Sequence, residues 1–266
     1  MQFEGNGELQ ERRSTILPQT VSFHNHGSKL IAHRGLSKFR LENTIPAFRL
    51  AGEHNFFGIE TDVHRTRDGK FIIIHDDDTL RVTGEKKIIE ETGFPVLRSL
   101  KMIDPFHPEG SPLQLPTLDE YLHICRETSK TSVLEIKHHM ESEDLENIIQ
   151  IVMDHGMLDH TIFISFDLAN LVQLRMRLPE QKIQLLMSTD AGNLISELST
   201  YQLDLDICFT ELTEKRFKQL HSAGIEVNVW TVDDPMIAEE LSSWGVDYIT
   251  TNLLMDIEQE MQTIPE

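Results

Sequence analysis

The chain has 266 residues, 39% of them hydrophobic and 26% charged, with 14 Gly and 10 Pro, a globular profile with room for one large core. Its 44 Asp plus Glu outweigh 24 Lys plus Arg, for a formal charge of −20, which repels phosphate backbones and anionic lipid and so excludes general nucleic-acid binding and stable membrane docking. The two cysteines, Cys125 and Cys208, form no CxxC pair, and no secretory h-region or membrane-length apolar run is present, so the expected compartment is the cytoplasm.

Residues 1–28 are polar and mixed in charge and are expected to form an N-terminal extension to a domain spanning 29–266. From there short β-branched runs alternate with amphipathic stretches. The predicted strands are Leu30–His33, Phe57–Val63, Ser132–Lys137, Thr161–Ser165, Lys182–Met187, Asp206–Phe209, Ile225–Val232 and Val246–Thr250. Helical punctuation lies between them. Thr117 and Glu120 form a capping box ahead of Tyr121–Thr128. Helices beginning near Glu143 and Glu214 stop at Gly156 and Gly224, and Asp234-Pro235 opens another. Eight strands alternating with helices are the count of a TIM (β/α)₈ barrel, with a doubly wound sheet as the alternative. Phe71–His75 breaks the rhythm. Only Thr66-Arg67-Asp68-Gly69 separates it from the second strand, too short for a parallel crossover, so it returns antiparallel as a hairpin. The weakly periodic, proline-containing segment from about 76 to 115 reads as a small insertion over the barrel mouth.

Ionisable groups cluster where the barrel strands should end, which is where barrel active sites lie. His33-Arg34-Gly35 ends the first strand. In Ile59-Glu60-Thr61-Asp62-Val63 the side chains alternate, so Glu60 and Asp62 share the inner face. Glu135 and Lys137 do the same in Leu134-Glu135-Ile136-Lys137. Buried like charges require a positive partner. One solution is an ion network with Arg34 or Lys137; the other is a divalent cation held by Glu60, Asp62 and Glu135, for which all-oxygen ligation favours Ca²⁺ or Mg²⁺. His33 and His75 beside such a centre offer a proton acceptor and a proton donor near neutrality. Arg34 supplies a planar fork and Lys137 a point charge for phosphate oxygens. Together these groups describe phosphoryl chemistry. Trp230, on the strand face of Asn228, is either a packed core aromatic or a ring at the mouth.

With Ala32-His33-Arg34-Gly35, Glu42-Asn43-Thr44, Ile59-Glu60-Thr61-Asp62-Val63, Thr66-Arg67-Asp68-Gly69, His75-Asp76, Glu135-Ile136-Lys137 and Asn228-Val229-Trp230-Thr231-Val232 in this order, the sequence resembles the glycerophosphodiester phosphodiesterases. The resemblance covers about Leu30 to Asn252. It implies a TIM barrel with a small insertion and metal-dependent cleavage of glycerophosphodiesters to glycerol 3-phosphate and an alcohol. Carried over by position, it implies His33 and His75 as the acid/base pair, Glu60, Asp62 and Glu135 as metal ligands, Arg34 and Lys137 as phosphate holders, and Glu42 as a carboxylate near the metal and Arg34. It further implies attack by the substrate's own 2-hydroxyl through a cyclic phosphate. The chain departs from the family at Leu41, where proline is usual, and at Thr251-Asn252-Leu253-Leu254, where the family has Thr-Asp-x-Pro and a closing helix would be capped differently.

The expected partner is a soluble small-molecule diester. Related barrel phospholipases, lysophospholipase D-like or sphingomyelinase D-like, are the alternative, because Ile88, Ile89, Phe94, Val96, Leu97, Leu100, Met102, Ile103 and Phe106 could form an apolar rim for a lipid tail or simply pack the insertion. A non-catalytic phosphodiester-binding protein is disfavoured because every catalytic position of the motif set is filled.

Overall fold

The computed structural model describes residues 21–190 and 192–256. In chain order its elements are β1 (Val21–Phe23), β2 (Lys29–Ala32), α1 (Ile45–Gly52), β3 (Gly58–Arg65), β4 (Phe71–Ile73), α2 (Leu80–Thr83), α3 (Phe94–Ser99), α4 (Leu118–Glu127), β5 (Thr131–Ile136) and α5 (Ser142–Asp154). They continue with β6 (Thr161–Ser165), α6 (Leu168–Arg177), β7 (Lys182–Met187), α7 (Leu194–Tyr201), β8 (Asp204–Cys208), α8 (Glu214–Ser222), β9 (Val227–Trp230), α9 (Pro235–Trp244), β10 (Tyr248–Thr251) and β11 (Leu254–Asp256). All eight predicted barrel strands form.

The strands run β2-β10-β9-β8-β7-β6-β5-β3, each parallel to its neighbour. The ring then closes, because β2 also pairs with β3 through Ile31↔Gly58 and Ala32↔Ile59. That pairing decides between the two architectures considered from sequence, since a doubly wound sheet would leave both edges open. The fold is a TIM barrel. Its outward strand residues, among them Ile59, Val63, Leu134 and Phe163, pack on Phe48, Leu122, Leu171 and Leu220 of the surrounding helices. Its interior is filled by Ile31, Val133, Ile162, Ile164, Leu186 and Tyr248. Alternation along each strand produces both faces from one run of residues.

The helix signals also form. Thr117 accepts from the Glu120 amide while the Glu120 carboxylate accepts from the Thr117 amide at 2.8 Å. Asp234 caps α9 ahead of Pro235, and α5 and α8 stop short of Gly156 and Gly224.

The hairpin is antiparallel, with Val63↔Ile73 and Arg65↔Phe71 in register. Beyond it, α2 and α3 enclose a small second core of Ile72, Ile74, Val82, Ile89, Leu97, Leu100, Met102 and Leu115. Leu41, where the resemblance implies proline, packs against this core. The insertion's apolar residues therefore divide. Ile89, Leu97, Leu100 and Met102 are buried, whereas Ile88, Val96, Ile103 and Phe106 remain exposed.

Of the 28 residues expected as an extension, 21–28 contribute β1, paired in parallel with β11, and buried Phe23 and Ser28; residues 1–20 lie outside the described residues. Where a closing helix was expected after Asn252, the chain enters β11, and residues 257–266 lie outside the described residues. Among the described residues no helix is long and apolar enough to cross a membrane.

Candidate active site

The inner-face alternation expected of β3 and β5 is present. Glu60, Asp62 and Glu135 are all buried, and Asp62 stands directly beside Glu135 in the strand register. One carboxylate oxygen from each lies within 4.8 Å of the others. Two cations face the cluster. Lys137 Nζ is 2.8 Å from Glu135 and 3.4 Å from Asp62, and Arg34 Nε is 3.7 Å from Asp62. The Arg34 amide donates to Glu60 at 2.8 Å. Asn43 donates to Asp62 at 2.7 Å and accepts from the Thr61 hydroxyl at 2.7 Å, which holds the central carboxylate rigidly.

Three buried carboxylates against two cations leave one negative charge in excess. Burial would raise all three pKa values, but Lys137 and Arg34 hold Asp62 down at about 2. For the outer two, Lys137 beside Glu135 and Arg34 beside Glu60 offset burial only in part. Burial, then the charge of Asp62, pushes Glu135 up to about 8 and Glu60 well above the usual carboxylate range. Asp62 Oδ1 is buried without a hydrogen-bond partner. A buried oxygen whose one charged contact is the 3.4 Å ion pair with Lys137, in an electron-rich, all-oxygen cluster, suits a hard divalent cation, so the residues fit such an ion. The ion network considered from sequence is also present, and it leaves the cluster under-neutralised.

The two histidines are oriented differently. Asn252 donates to Asp233 at 2.7 Å and accepts from Ser37 at 2.7 Å through the same oxygen that faces His33 Nδ1 at 2.9 Å. Nδ1 of His33 therefore carries the hydrogen, and Nε2 presents its lone pair 4.0 Å from Glu60. Burial, followed by the charge of Arg34, lowers the His33 pKa to about 4. His75 instead bonds a carboxylate, with Nδ1 2.8 Å from Asp76.

That contact begins a chain of alternating charges. Asp76 is held by Arg81 at 2.6 Å, Arg81 forks onto Glu42 at 2.8 and 2.9 Å, and Glu42 accepts from Arg34 at 2.9 Å. Bonds from Arg81 hold Asp76 well below the usual carboxylate range. Glu42 thus orients both arginines. The loop carrying Arg34 is fixed by close approach to α1. Gly35 has φ 79°, and a Cβ there would meet the Ala47 backbone at 2.7–2.8 Å, so only glycine fits.

Trp230 packs on the barrel interior, and its ring meets Phe166 edge-on at 5.9 Å. The mouth opens a cavity of about 740 Å³ lined by His75, Asp76, Glu135, Lys137 and Phe166 among others. All nine residues singled out from sequence are therefore at the barrel mouth or in the polar chain leading to it. The sequence assigned no role to Asn43, Asp76, Arg81, Phe166 or Asn252. Asn43 and Asp76 adjoin motif residues, and Phe166 directly follows the end of β6, which were usable signals.

The protein-family model described as the glycerophosphoryl diester phosphodiesterase family matches residues 33–254. The chain is 27% identical over 228 residues to a glycerophosphodiester phosphodiesterase of Caldanaerobacter subterraneus, covering 84% of this chain and 93% of that protein. Among solved structures it resembles an Oleispira antarctica phosphodiesterase in complex with the product sn-glycerol-3-phosphate, with a TM-score of 0.80, 25% identity, and coverage of 88% and 95% of the two chains. It also resembles a glycerophosphodiester phosphodiesterase from Thermotoga maritima, with a TM-score of 0.69, 26% identity, and coverage of 86% and 96%. With the family model spanning the barrel and its polar mouth, the chain belongs to the glycerophosphoryl diester phosphodiesterase family and is an enzyme of that family.

Proposed function

We propose that this enzyme hydrolyses soluble glycerophosphodiesters to sn-glycerol 3-phosphate and an alcohol, using one Ca²⁺ or Mg²⁺ held by Glu60, Asp62 and Glu135. The observation that carries the reading is the buried three-carboxylate cluster, in which Asp62 Oδ1 accepts no hydrogen bond, flanked by His33, Arg34 and Lys137. The Oleispira relative's bound product supports the product assignment. A cysteine-poor, acidic chain suits the cytoplasm.

When bound, the cation neutralises charge that builds on the non-bridging phosphate oxygens. Arg34 and Lys137 orient the phosphate and stabilise the same charge. His33, neutral at pH 7, takes the proton of the substrate's 2-hydroxyl at Nε2 as that oxygen bonds to phosphorus. His75, held at Nδ1 by Asp76, gives a proton to the departing alcohol oxygen as the P–O bond breaks. The cyclic phosphate is then opened by water with the two histidines exchanging roles. Glu42 keeps Arg34 in place, and Trp230 with Phe166 walls the side where the organic part of the substrate lies.

The test is release of glycerol 3-phosphate from glycerophosphocholine with Ca²⁺ or Mg²⁺ and with a chelator. Release only with the cation is expected; none from any glycerophosphodiester would overturn the reading. An analogue lacking the 2-hydroxyl should resist cleavage, and its ready hydrolysis would point to direct attack by water. The exposed Ile88, Val96, Ile103 and Phe106 favour a second reading, a lysophospholipase D-like substrate with an acyl tail. Stronger turnover of lysophosphatidylcholine than of glycerophosphocholine would select it.

A further inference from the structure

A second group of ligand-type side chains stands at the rim beside the carboxylate cluster. His64 follows Asp62 by two positions on β3 and is buried. Asp77 comes from the segment after the hairpin and His138 from the segment after β5. One ligand atom from each of the three lies within 4.8 Å of the others. His138 Nε2 is 2.7 Å from Asp77 Oδ1, and the His64 and His138 rings are 5.3 Å apart at 66°.

We propose that His64, Asp77 and His138 form a second metal site, distinct from the carboxylate cluster, that takes a borderline ion of the Zn²⁺ class. Two imidazoles and one carboxylate are the donor set for that class, whereas Ca²⁺ and Mg²⁺ prefer oxygen alone. Three protein ligands leave a fourth position, and Asp77 and His138 both line the 740 Å³ cavity into which it would open.

The supporting geometry is specific. His64 Nε2 faces the His75 carbonyl at 3.3 Å, the arrangement in which a ligating histidine donates its other N–H to a backbone oxygen and keeps the remaining nitrogen for a metal. His138 has φ 55°, a left-handed conformation that L residues adopt only when the surroundings impose it. Buried Asn170 imposes it, donating to the His138 carbonyl at 2.5 Å and accepting from the Met140 amide at 2.9 Å. The result is a ring turned toward Asp77. Tetrahedral bonds of about 2.0–2.1 Å separate neighbouring ligand atoms by about 3.3 Å. Asp77 and His138 must therefore part by roughly half an ångström. Both side chains can do so, being 72% and 43% exposed, while His64 is fixed. An ion there would tie together β3, the segment carrying His75 and the segment carrying Lys137.

The experiment uses the untagged full chain saturated with Ca²⁺, titrated with Co²⁺ as a spectroscopic probe for Zn²⁺. One equivalent should bind with the visible absorption of a four-coordinate, histidine-ligated ion. His138→Ala and Asp77→Asn, both at the exposed rim, should each weaken binding by about tenfold or more, and Asp62→Asn should retain it. Failure of the Ca²⁺-saturated protein to bind Co²⁺ would overturn the proposal. So would binding unchanged in His138→Ala, or binding lost in Asp62→Asn but kept in His138→Ala. None of these outcomes depends on the substrate assigned above.

Discussion

Cation binding at the carboxylate cluster should release protons, by an amount the structure sets. Burial and the neighbouring charge of Asp62 disfavour the ionised form of Glu135 and push its pKa from an ordinary 4.5 up to about 8. A ligand must be ionised, so the apparent affinity follows the ionised fraction of Glu135. That fraction rises from about 1% at pH 6 to about half at pH 8, a gain of roughly 50-fold in Ca²⁺ affinity from this residue alone. Glu60 is shifted in the same direction and steepens the dependence. Isothermal titration at pH 7 in buffers of different ionisation enthalpy should count between one and two protons released per Ca²⁺. Glu135→Gln should lower affinity overall and remove the roughly 50-fold gain. The same shift fixes a stability trend. A carboxyl group whose folded pKa is raised stabilises the folded chain below pH 4.5, and that contribution is lost as pH rises through about 8. Cation-free protein should therefore lose thermal stability between pH 5 and 8 from these residues, and Ca²⁺ should restore it. Affinity independent of pH, with no protons released, would refute the reasoning.

His33→Ala and His75→Ala should each reduce turnover by about 10²–10⁴-fold with the fold retained by circular dichroism; wild-type turnover in either would remove that residue from the chemistry. Asn43→Leu leaves buried Asp62 and Thr61 oxygens without their 2.7 Å partners. It should cost about 1–3 kcal/mol in urea unfolding and weaken Ca²⁺ binding, and an unchanged midpoint would count against the role of Asn43. Asn252→Asp puts a carboxylate on His33 Nδ1, which favours the protonated ring and raises its pKa from about 4. The acidic limb of the kcat/KM profile should move up by about one pH unit or more; a limb that stays put would exclude His33 as the base.

The parts of the site legible in the sequence are those governed by local periodicity. Glu60, Asp62 and Glu135 could be placed together because a strand alternates its faces and a barrel has only one inside. His64 obeys the same rule, two positions beyond Asp62, and its rim cluster was within reach of that argument. What could not be read is contact between segments whose relative placement only the closed barrel fixes. His33 and its Asn252 acceptor are 219 positions apart, and Arg81 reaches Glu42 across 39 positions from inside the insertion. The insertion was recognised by its lack of periodicity, and for the same reason its contribution of Arg81 carried no pattern. Closure itself rests on two residue pairs between β2 and β3, which periodicity cannot reveal.

The −20 charge poses a problem for an enzyme that binds an anion, and the site's own pairing shows how it is met. In the acidic lining of the cavity Asp76 is compensated by Arg81 and Asp78 by Lys86, while Asp77 and Asp167 contact His138 and His139. Deeper in, Asp62 is held ionised while burial pushes Glu60 and Glu135 toward their protonated forms. There Arg34 and Lys137, the two groups suited to a phosphate, are both engaged by carboxylates. A diester entering the cation-free site would have to compete with buried carboxylates for those two groups, in low dielectric where the competition is severe. A dication held by these carboxyl groups would neutralise them and leave Arg34 and Lys137 to turn their charge to the phosphate. On the proposed function, the cation is expected to bind before the substrate, and the substrate's affinity to follow the neutrality of the cluster more than the field of the whole protein.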